Sequence, residues 1–413
     1  MWKKYFKLYH KKTCRRPTLP GCLLLIAFLL ISAHFTLQNL YLFLTVNEPV
    51  KSKTMVIEGW VPDYSVKKAI QLFRADHYDN MIVTGIPILK WQSISKYRNV
   101  AEATAAIIRK MGFRDTIYLA PIPSSILRDR TYSTAVVTKE LFEQHPQWDK
   151  SFNIYSVGVH SRRSRLMFEK AFGDDYKIGI YADRDISFDP VHWWKNSKGF
   201  RNVSNEFMAY LFVRLFFHPD INHYKKLIEQ GKYIDSVEVY REKSIEEFAD
   251  PQKTPLDSLR FYKAYHDPVY YPVNPKYNIK AKFELDTTGE TFGMATNTSR
   301  KPNYRVYGHL QFLVNDTVQH LTVYQNVDYM KDAEYGKFLF IPFRDKTNGK
   351  TTYAAGRYLE ILIPETDSVY IDFNKAYNPY CAYSHRWSCP LVPFENHLEV
   401  YILAGEKMYD NSH

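Results

Sequence analysis

Hydrophobic positions divide this chain into stretches with different periods. From Gly21 to Val46, GCLLLIAFLLISAHFTLQNLYLFLTV is apolar almost without interruption. A helix over that run is long enough to cross a hydrocarbon layer roughly 30 Å thick with some tilt. From Lys53 to about Asp183, short apolar runs alternate with helical ones. Met55-Val56-Ile57, Met81-Ile82-Val83, Ile117-Tyr118-Leu119, Asn153-Ile154-Tyr155 and Ile178-Gly179-Ile180 have the length of buried strands. Between them the pattern predicts helices over Ser65 to Ala75, Asn99 to Met111, Thr131 to His145 and Ser161 to Phe172, the second and fourth stopped by Gly112 and Gly173. Strands alternating with helices predict an α/β, Rossmann-like open parallel sheet covered on both faces. Beyond Asn278 the period becomes two. Ile279 to Leu285, Tyr304 to Val314, Val318 to Tyr324, Lys337 to Ile341, Tyr358 to Ile363, Val369 to Phe373 and Leu398 to Leu403 alternate or run apolar at strand length. Asn315-Asp316 is a tight hairpin signal. The second half therefore predicts a mostly antiparallel sheet rolled into a barrel or sandwich.

These patterns, and a length of 413 residues that exceeds what one core accommodates, imply several parts. They are a basic tail at 1–20, an anchor at 21–46, an α/β domain at 53–185, a helical connector at 186–235 and a β domain at 236–413. Within the connector, Phe207 to Phe217 is apolar but short and interrupted by Arg214, which fits a buried or membrane-skimming helix and not a second span.

The net charge of +11 suggests a nucleic-acid partner until it is located. Lys3, Lys4, Lys7, Lys11, Lys12, Arg15 and Arg16 precede the apolar run with no acidic residue among them; of 55 basic residues, removing these seven leaves 48 against 44 acidic. The remainder has no excess that would build a nucleic-acid groove. Basic residues ahead of an apolar span hold that end in the cytoplasm. The expected topology is a single-pass protein of the cytoplasmic membrane with its bulk extracytoplasmic, in the periplasm. A cleaved signal peptide with its apolar core at Cys22 to Ala33 is the alternative, but no small-x-small cleavage site follows.

In open parallel sheets, ligands bind at the carboxyl ends of the strands. After the first predicted strand stand Glu58, Gly59 and Trp60, and after the second Thr84 and Gly85. Arg128, Asp129, Arg130 and Thr131 follow the third, and Ser156, His160, Arg162 and Arg163 follow the fourth. Arginines, a histidine and helix starts on one rim suit a phosphate or carboxylate. Individually, the arginines also fit the solvated face of a helix and His160 a helix cap. The order of GW, VTG, the helix-opening Glu102-Ala103, RDRTYSTA and SVGVHSRRSRLMF resembles the YdcF/SanA/ElyC family of bacterial envelope proteins over roughly residues 53 to 185. That family's Ser-x-x-x-His-x-x-Arg-x-x-x-x-Phe signature falls on Ser156, His160, Arg163 and Phe168. The Gly-rich turn is reduced here to Glu58-Gly59-Trp60, which offers less backbone N–H to a phosphate. The resemblance implies a polar rim pocket and a link to envelope integrity and to wall or lipid-carrier metabolism. His160, Glu102 and Asp129 are the candidate catalytic residues; Gly59, Gly85, Arg128, Thr131, Ser156 and Arg163 are the candidate ligand-binding ones.

The C-terminal half has its own dense segment, DFNKAYNPYCAYSHRWSCPLVPFENHLEVYILAGE from Asp372 to Glu406. With FRDKTNGKTTYAAGRY upstream and YREKSIEEFADPQKTPLDSLRFYKAYHDPVYYPVN earlier, it resembles the bacterial family known as domain of unknown function 1684, over roughly 175 residues. Its polar residues Arg344, Asp345, Tyr353, Arg357, Asp372, Asn374, Asn378 and Asn396 either satisfy loop backbone and buried ion pairs or line a second pocket. Cys381 and Cys389 fall in the compartment expected to be oxidising, eight positions apart in a Pro-containing loop, and a disulfide is their simplest pairing. Free thiols, or a metal site of Cys381, His385 and Cys389, are the alternatives.

The expected function is that of a membrane-anchored bacterial envelope protein whose α/β domain binds, and by one reading processes, an anionic wall or lipid-linked intermediate. The rival is a non-catalytic envelope scaffold that binds protein partners. Neither half carries a complete nucleophile-and-base motif such as G-x-S-x-G or H-E-x-x-H, and no cofactor or metal is assigned.

Overall fold

The computed structural model describes residues 19–88 and 95–409. The basic residues of the tail and Cys14 lie outside the described residues. The chain divides into two compact units, Met1–Ile228 and Glu229–His413.

The first unit opens with α1 (Leu19–Leu44), whose Pro20–Leu44 portion is long and apolar enough to cross a membrane. Strands β1 (Thr54–Glu58), β2 (Asn80–Gly85), β3 (Ile117–Pro121), β4 (Ser151–Val157) and β5 (Lys177–Asp183) alternate with helices α2 (Asp63–Ala75), α3 (Val100–Lys110), α4 (Arg130–Gln144) and α5 (Ser161–Phe172). The five strands form one parallel sheet in the order β3-β2-β1-β4-β5. Because consecutive residues of a strand face opposite ways, Val56, Ile82, Ile154 and Ile180 pack on one face with Tyr132, Val136 and Phe168 from α4 and α5. Met55, Ile57, Met81, Val83 and Val157 pack on the other with Val66, Ile70, Phe73, Ala101 and Ile108 from α2 and α3. Helices on both faces leave one open place for a ligand, the gap at the strand ends where the order reverses between β1 and β4.

Helices α6 (Ser197–Leu215) and α7 (Ile221–Ala249) follow, and the division between the units falls within α7. The apolar connector segment is thus the last part of α6. It is two-sided: Val203 and Val213 are buried, while Met208, Phe212, Leu215 and Phe216 lie exposed at helical spacing on the opposite side. The base of α1 is fastened to this unit. The Trp193 indole donates to Leu37 O at 2.9 Å, and Ser161 Oγ donates to Leu44 O at 3.2 Å. The Arg162 guanidinium donates to Phe43 O and stacks on the Phe43 ring at 4.2 Å.

The second unit contains α8 (Ser258–Ala264) and strands β6 (Asn278–Leu285), β7 (Thr291–Gly293), β8 (Asn303–Val314), β9 (Thr317–Asn326), β10 (Phe338–Phe343), β11 (Arg357–Leu362) and β12 (Ser368–Asp372). They form a curled antiparallel sheet, a half-barrel, in the order β11-β10-β9-β8-β6-β12 with β7 on β8. Asn315 and Asp316, both at positive φ (47° and 61°), close the β8–β9 hairpin, as the mirror-image two-residue turn requires.

One expected strand is absent. Leu398 to Leu403 lies outside every strand and bends at Glu399 and Val400, because side chains take its backbone. The Arg357 guanidinium, wholly buried, donates to the carbonyls of Ile402 (3.1 Å) and Ala404 and to Asp345 Oδ2 at 2.7 Å. Asp345 Oδ1 accepts from Ile402 N at 3.3 Å and Thr347 N at 2.8 Å. The alternation of apolar side chains therefore reflects docking onto a buried ion pair, with Leu398, Ile402 and Ala404 turned into the core. Removing one member of such a pair leaves an unpaired buried charge, at a cost of about 3–5 kcal/mol. Arg357→Ala should lower the second unit's stability to urea by that order, with Arg357→Lys recovering only part, because an ammonium does not span a carboxylate and two carbonyls at once. An unchanged transition for Arg357→Ala would mean that this group serves a ligand instead.

Candidate active site at the strand ends

A cavity of about 430 Å³ lies at the β1/β4 ends of the parallel sheet, lined by residues that follow β1, β2 and β4 and by α4 and α6. Its floor is built on Glu58, the last residue of β1 and only 3% exposed. A carboxylate so placed must have partners. The hydroxyls of Ser156 on β4 and Ser164 on α5 both donate to it, and His160 Nε2 lies 3.6 Å from Oε1. On its other side His160 Nδ1 is 3.0 Å from Glu206 Oε1 on α6, and Arg163 grips the same carboxylate twice, Nε at 2.7 Å and Nη2 at 3.0 Å. Two carboxylates, one imidazole and one guanidinium thus form a single ionic chain. The Trp60 ring packs edge-on against His160 at 5.0 Å and remains 44% exposed beside it.

Position decides the protonation states. Burial disfavours a charged imidazole, yet Glu58 and Glu206 outweigh it and raise His160 to about 9. Burial also opposes ionisation of the two carboxyls, but His160 holds Glu58 below the usual range, and His160 with Arg163 brings Glu206 down to about 2. His160 is accordingly an imidazolium at neutral pH, with Nδ1–H donating to Glu206. The 2.9 Å approach of Arg163 Nη2 to Nδ1 is then two donors converging on one carboxylate oxygen, not a hydrogen bond between them. In this state His160 is a proton donor and not a base.

The structure gathers some predicted residues here and places others elsewhere. Gly59, Gly85, Thr131, His160 and Arg163 line the cavity. Both glycines answer to packing as well, since a Cβ on Gly59 would meet Thr84 O, and one on Gly85 would meet Ala101 N, at 2.2 Å each. Ser156 lies beneath, as the donor to Glu58. Glu102 is occupied at the start of α3, where its carboxylate accepts from Arg98 N (3.0 Å) and Asn99 Nδ2 (2.8 Å) while Asn99 caps its own N–H. Asp129 accepts from Tyr224 at 2.8 Å, and neither it nor the exposed Arg128 is on the lining. Two residues without an assigned role in the sequence hold the centre together. Glu58 reads as the end of an apolar strand, and Glu206 lies in the connector. Glu206 is the one acidic residue of α6, and that isolation is the signal that marks it.

In the second unit the predicted polar residues serve the scaffold. Asn396 is wholly buried and bridges Thr322 N, Thr322 O and Pro342 O. Asn374 bridges both backbone groups of Asn274, and Asp372 accepts from Tyr233 at 2.7 Å. Arg357 and Asp345 form the buried pair described above, Arg344 is exposed, and Tyr353 Oη lies 4.0 Å from Cys381 Sγ. Of the eight, Asn378 lines a cavity. Cys381 and Cys389 are adjacent free thiols, Cys381 N donating to Cys389 Sγ at 3.2 Å. Among the described residues, no three His, Cys, Asp or Glu side chains are grouped to hold a metal ion.

Comparison with known proteins bears on the second unit. Residues 263–407 match the family described as protein of unknown function (DUF1684). No curated protein matches the chain. Among solved structures, an uncharacterized protein of Haloarcula marismortui determined by solution NMR is similar, at 28% identity over 45% of this chain and 98% of that one, with a TM-score of 0.37.

The ionic chain has a defined pH window. The raised His160 stabilises the fold fully below its unfolded value near 6.5, and this contribution is lost as pH rises towards 9. The lowered Glu206 contributes above its unfolded value near 4.5 and loses its share as pH falls towards 2. His160 ring protons followed by NMR should titrate near pH 9, and Glu206→Gln should move the midpoint towards neutrality. A midpoint near 6.5 in the unaltered protein would mean that the carboxylates do not hold the proton.

Proposed function

We propose that the chain is a membrane-anchored envelope protein whose first unit binds an anionic, phosphate- or carboxylate-bearing intermediate of wall or lipid-carrier metabolism. The observation that carries this reading is the cavity at the sheet's switch point, where polar donors remain without protein partners. Arg130, at the start of α4, lines it with an exposed guanidinium that has no side-chain partner among the described residues, and half-buried Asn202 and exposed Asn205 line it from α6, also without a side-chain partner among the described residues. Arg130 and the two amides are suited to hold the anion, while His160⁺ is placed to protonate a departing oxygen. The resemblance of residues 53 to 185 to the YdcF/SanA/ElyC family agrees with a wall or lipid-carrier ligand. A lipid-linked one is favoured by proximity. Ser161, the residue after His160, bonds to the end of α1, and the exposed face of α6 is apolar next to the same helix.

A specific observation supports the scaffold reading as well. His160 and Arg163 are both neutralised by protein carboxylates, which is what an ion network that only clamps α6 to the sheet requires. Arg130 separates the two readings, because it takes no part in the network. Arg130→Ala should weaken binding of inorganic pyrophosphate to the detergent-purified full chain by about tenfold or more, leaving the melting temperature within a few degrees. The protein should also resist alkaline carbonate extraction and carry its C-terminal reporter outside the cytoplasm. Unchanged pyrophosphate affinity in Arg130→Ala, or none in the unaltered protein, would leave the scaffold as the better account.

In that compartment the two adjacent thiols should oxidise to a disulfide. Closing the short Cys381–Cys389 ring should add roughly 2 to 3 kcal/mol to the stability of the second unit. Peptide mapping without reductant should recover both cysteines in one linked fragment, whereas two alkylatable thiols in protein isolated under non-reducing conditions would place them in the reduced state.

A further inference from the structure

The second unit contains a larger cavity, about 830 Å³, with a different chemistry. Its walls are aromatic and set at steep angles to one another. Tyr358 stands between Phe340 (4.7 Å, 76°) and Tyr377 (5.9 Å, 88°), and Tyr380 leans on Trp387 at 5.2 Å. Edge-to-face contacts of this kind build a rigid aromatic wall along the cavity. Three carboxyls line the same space, Glu247 from α7, Glu360 from β11 and Glu406 from the C-terminal segment. Glu360 and Glu406 form no ion pair among the described residues. Glu360 accepts one hydrogen bond, from Tyr377 Oη at 3.1 Å; Glu406, only 3% exposed, accepts from Tyr383 Oη and from Asn378 N at 2.9 Å. Burial beneath the surrounding rings raises Glu360, although its residue is exposed on β11, and burial raises Glu406 to about 7 against the opposing pull of Arg357.

The cations at the cavity do not pair with Glu360 or Glu406. Lys375 is directed to Asp372 at 3.8 Å and lies over the Tyr240 ring at 5.7 Å, and Lys253 is exposed. Carboxyls therefore outnumber ammonium groups along a cavity walled by aromatic rings. A neutral sugar would stack on the rings but leave the carboxyls uncompensated, and an anion would add to their repulsion. Only a cation with an apolar surface satisfies both the walls and the floor.

We propose that this cavity is a binding site for an organic ammonium group, a quaternary or alkylated amine seated among Phe340, Tyr358 and Tyr377 with Glu360 as its counter-ion. The site is independent of the anion cavity of the first unit. It accounts for a feature that the core does not need, namely tyrosines and carboxyls without ion-pair partners around open space, in contrast to the buried pairing of Arg357 with Asp345.

The test compares choline with its neutral isostere 3,3-dimethylbutan-1-ol by calorimetry on the detergent-purified full chain. Choline should bind saturably and the isostere at least about tenfold more weakly, since only the positive charge differs. Glu360→Gln, a near-isosteric change at a position exposed on β11, should reduce choline affinity by a similar factor, with Arg130→Ala without effect. Equal binding of the two compounds would reduce the site to an apolar cleft. Binding of N-acetylglucosamine in place of choline would make it a saccharide site, and absence of saturable choline binding would likewise overturn the proposal.

Discussion

The first unit depends on the burial of one carboxylate. Glu58 ends the central strand of the parallel sheet, where the water that would normally solvate its charge is excluded. Each neighbouring element is recruited to answer that requirement. Strand β4 provides Ser156 and α5 provides Ser164, while the turn between them provides His160. Protonated His160 in turn needs Glu206 from α6, and Glu206 is completed by Arg163. The chain of requirements ends at α6, so one buried charge ties the sheet, the helix after it and the connector into a single rim. It also leaves the histidine acidic in character, which determines what chemistry the rim can offer.

A comparable logic organises the second unit without parallel strands. There the buried charge is the Arg357 guanidinium, and its partners are Asp345 and the backbone of the C-terminal segment. The C-terminal segment is held in the core by side-chain bonds to its carbonyls, where another strand would have used backbone bonds. The two units thus use buried ions in different ways. In the first the ions border a cavity and face its contents; in the second they are sealed inside the scaffold, and the cavity is left to aromatic rings and carboxyls.

The apolar helix α1 and the rim share structure. Arg162 and Ser161, directly beside His160, hold the end of α1, and α6 presents Glu206 to the cavity from one face and Met208, Phe212 and Leu215 outward from the other. A change in how α6 rests on its surroundings would therefore reach Glu206 without an intermediary. This arrangement sets the rim beside the end of the apolar helix α1 and the outward apolar face of α6.

Periodicity in the sequence was sufficient for the architecture. The short apolar runs became β1 to β5, Ser161 to Phe172 is α5 residue for residue, and Asn315-Asp316 closes its hairpin, because these outcomes follow from local sterics and alternation. His160 and Arg163 were legible as rim residues because the end of a parallel strand fixes where the next few side chains can go. What folding alone decided was pairing. Glu206 lies 46 residues from His160, in a stretch that reads as apolar helix, and nothing in its neighbours announces a partner so far along the chain. Glu102, Arg357 and Asn396 look like ligand groups in sequence, since a polar residue in a loop has the same composition whether it serves a ligand, a helix end or a buried carbonyl. Leu398 to Leu403 alternates like a strand yet is not one. Alternation records which side chains are buried, whereas strand formation depends on which groups accept the backbone bonds, and those groups are brought together only by the tertiary structure.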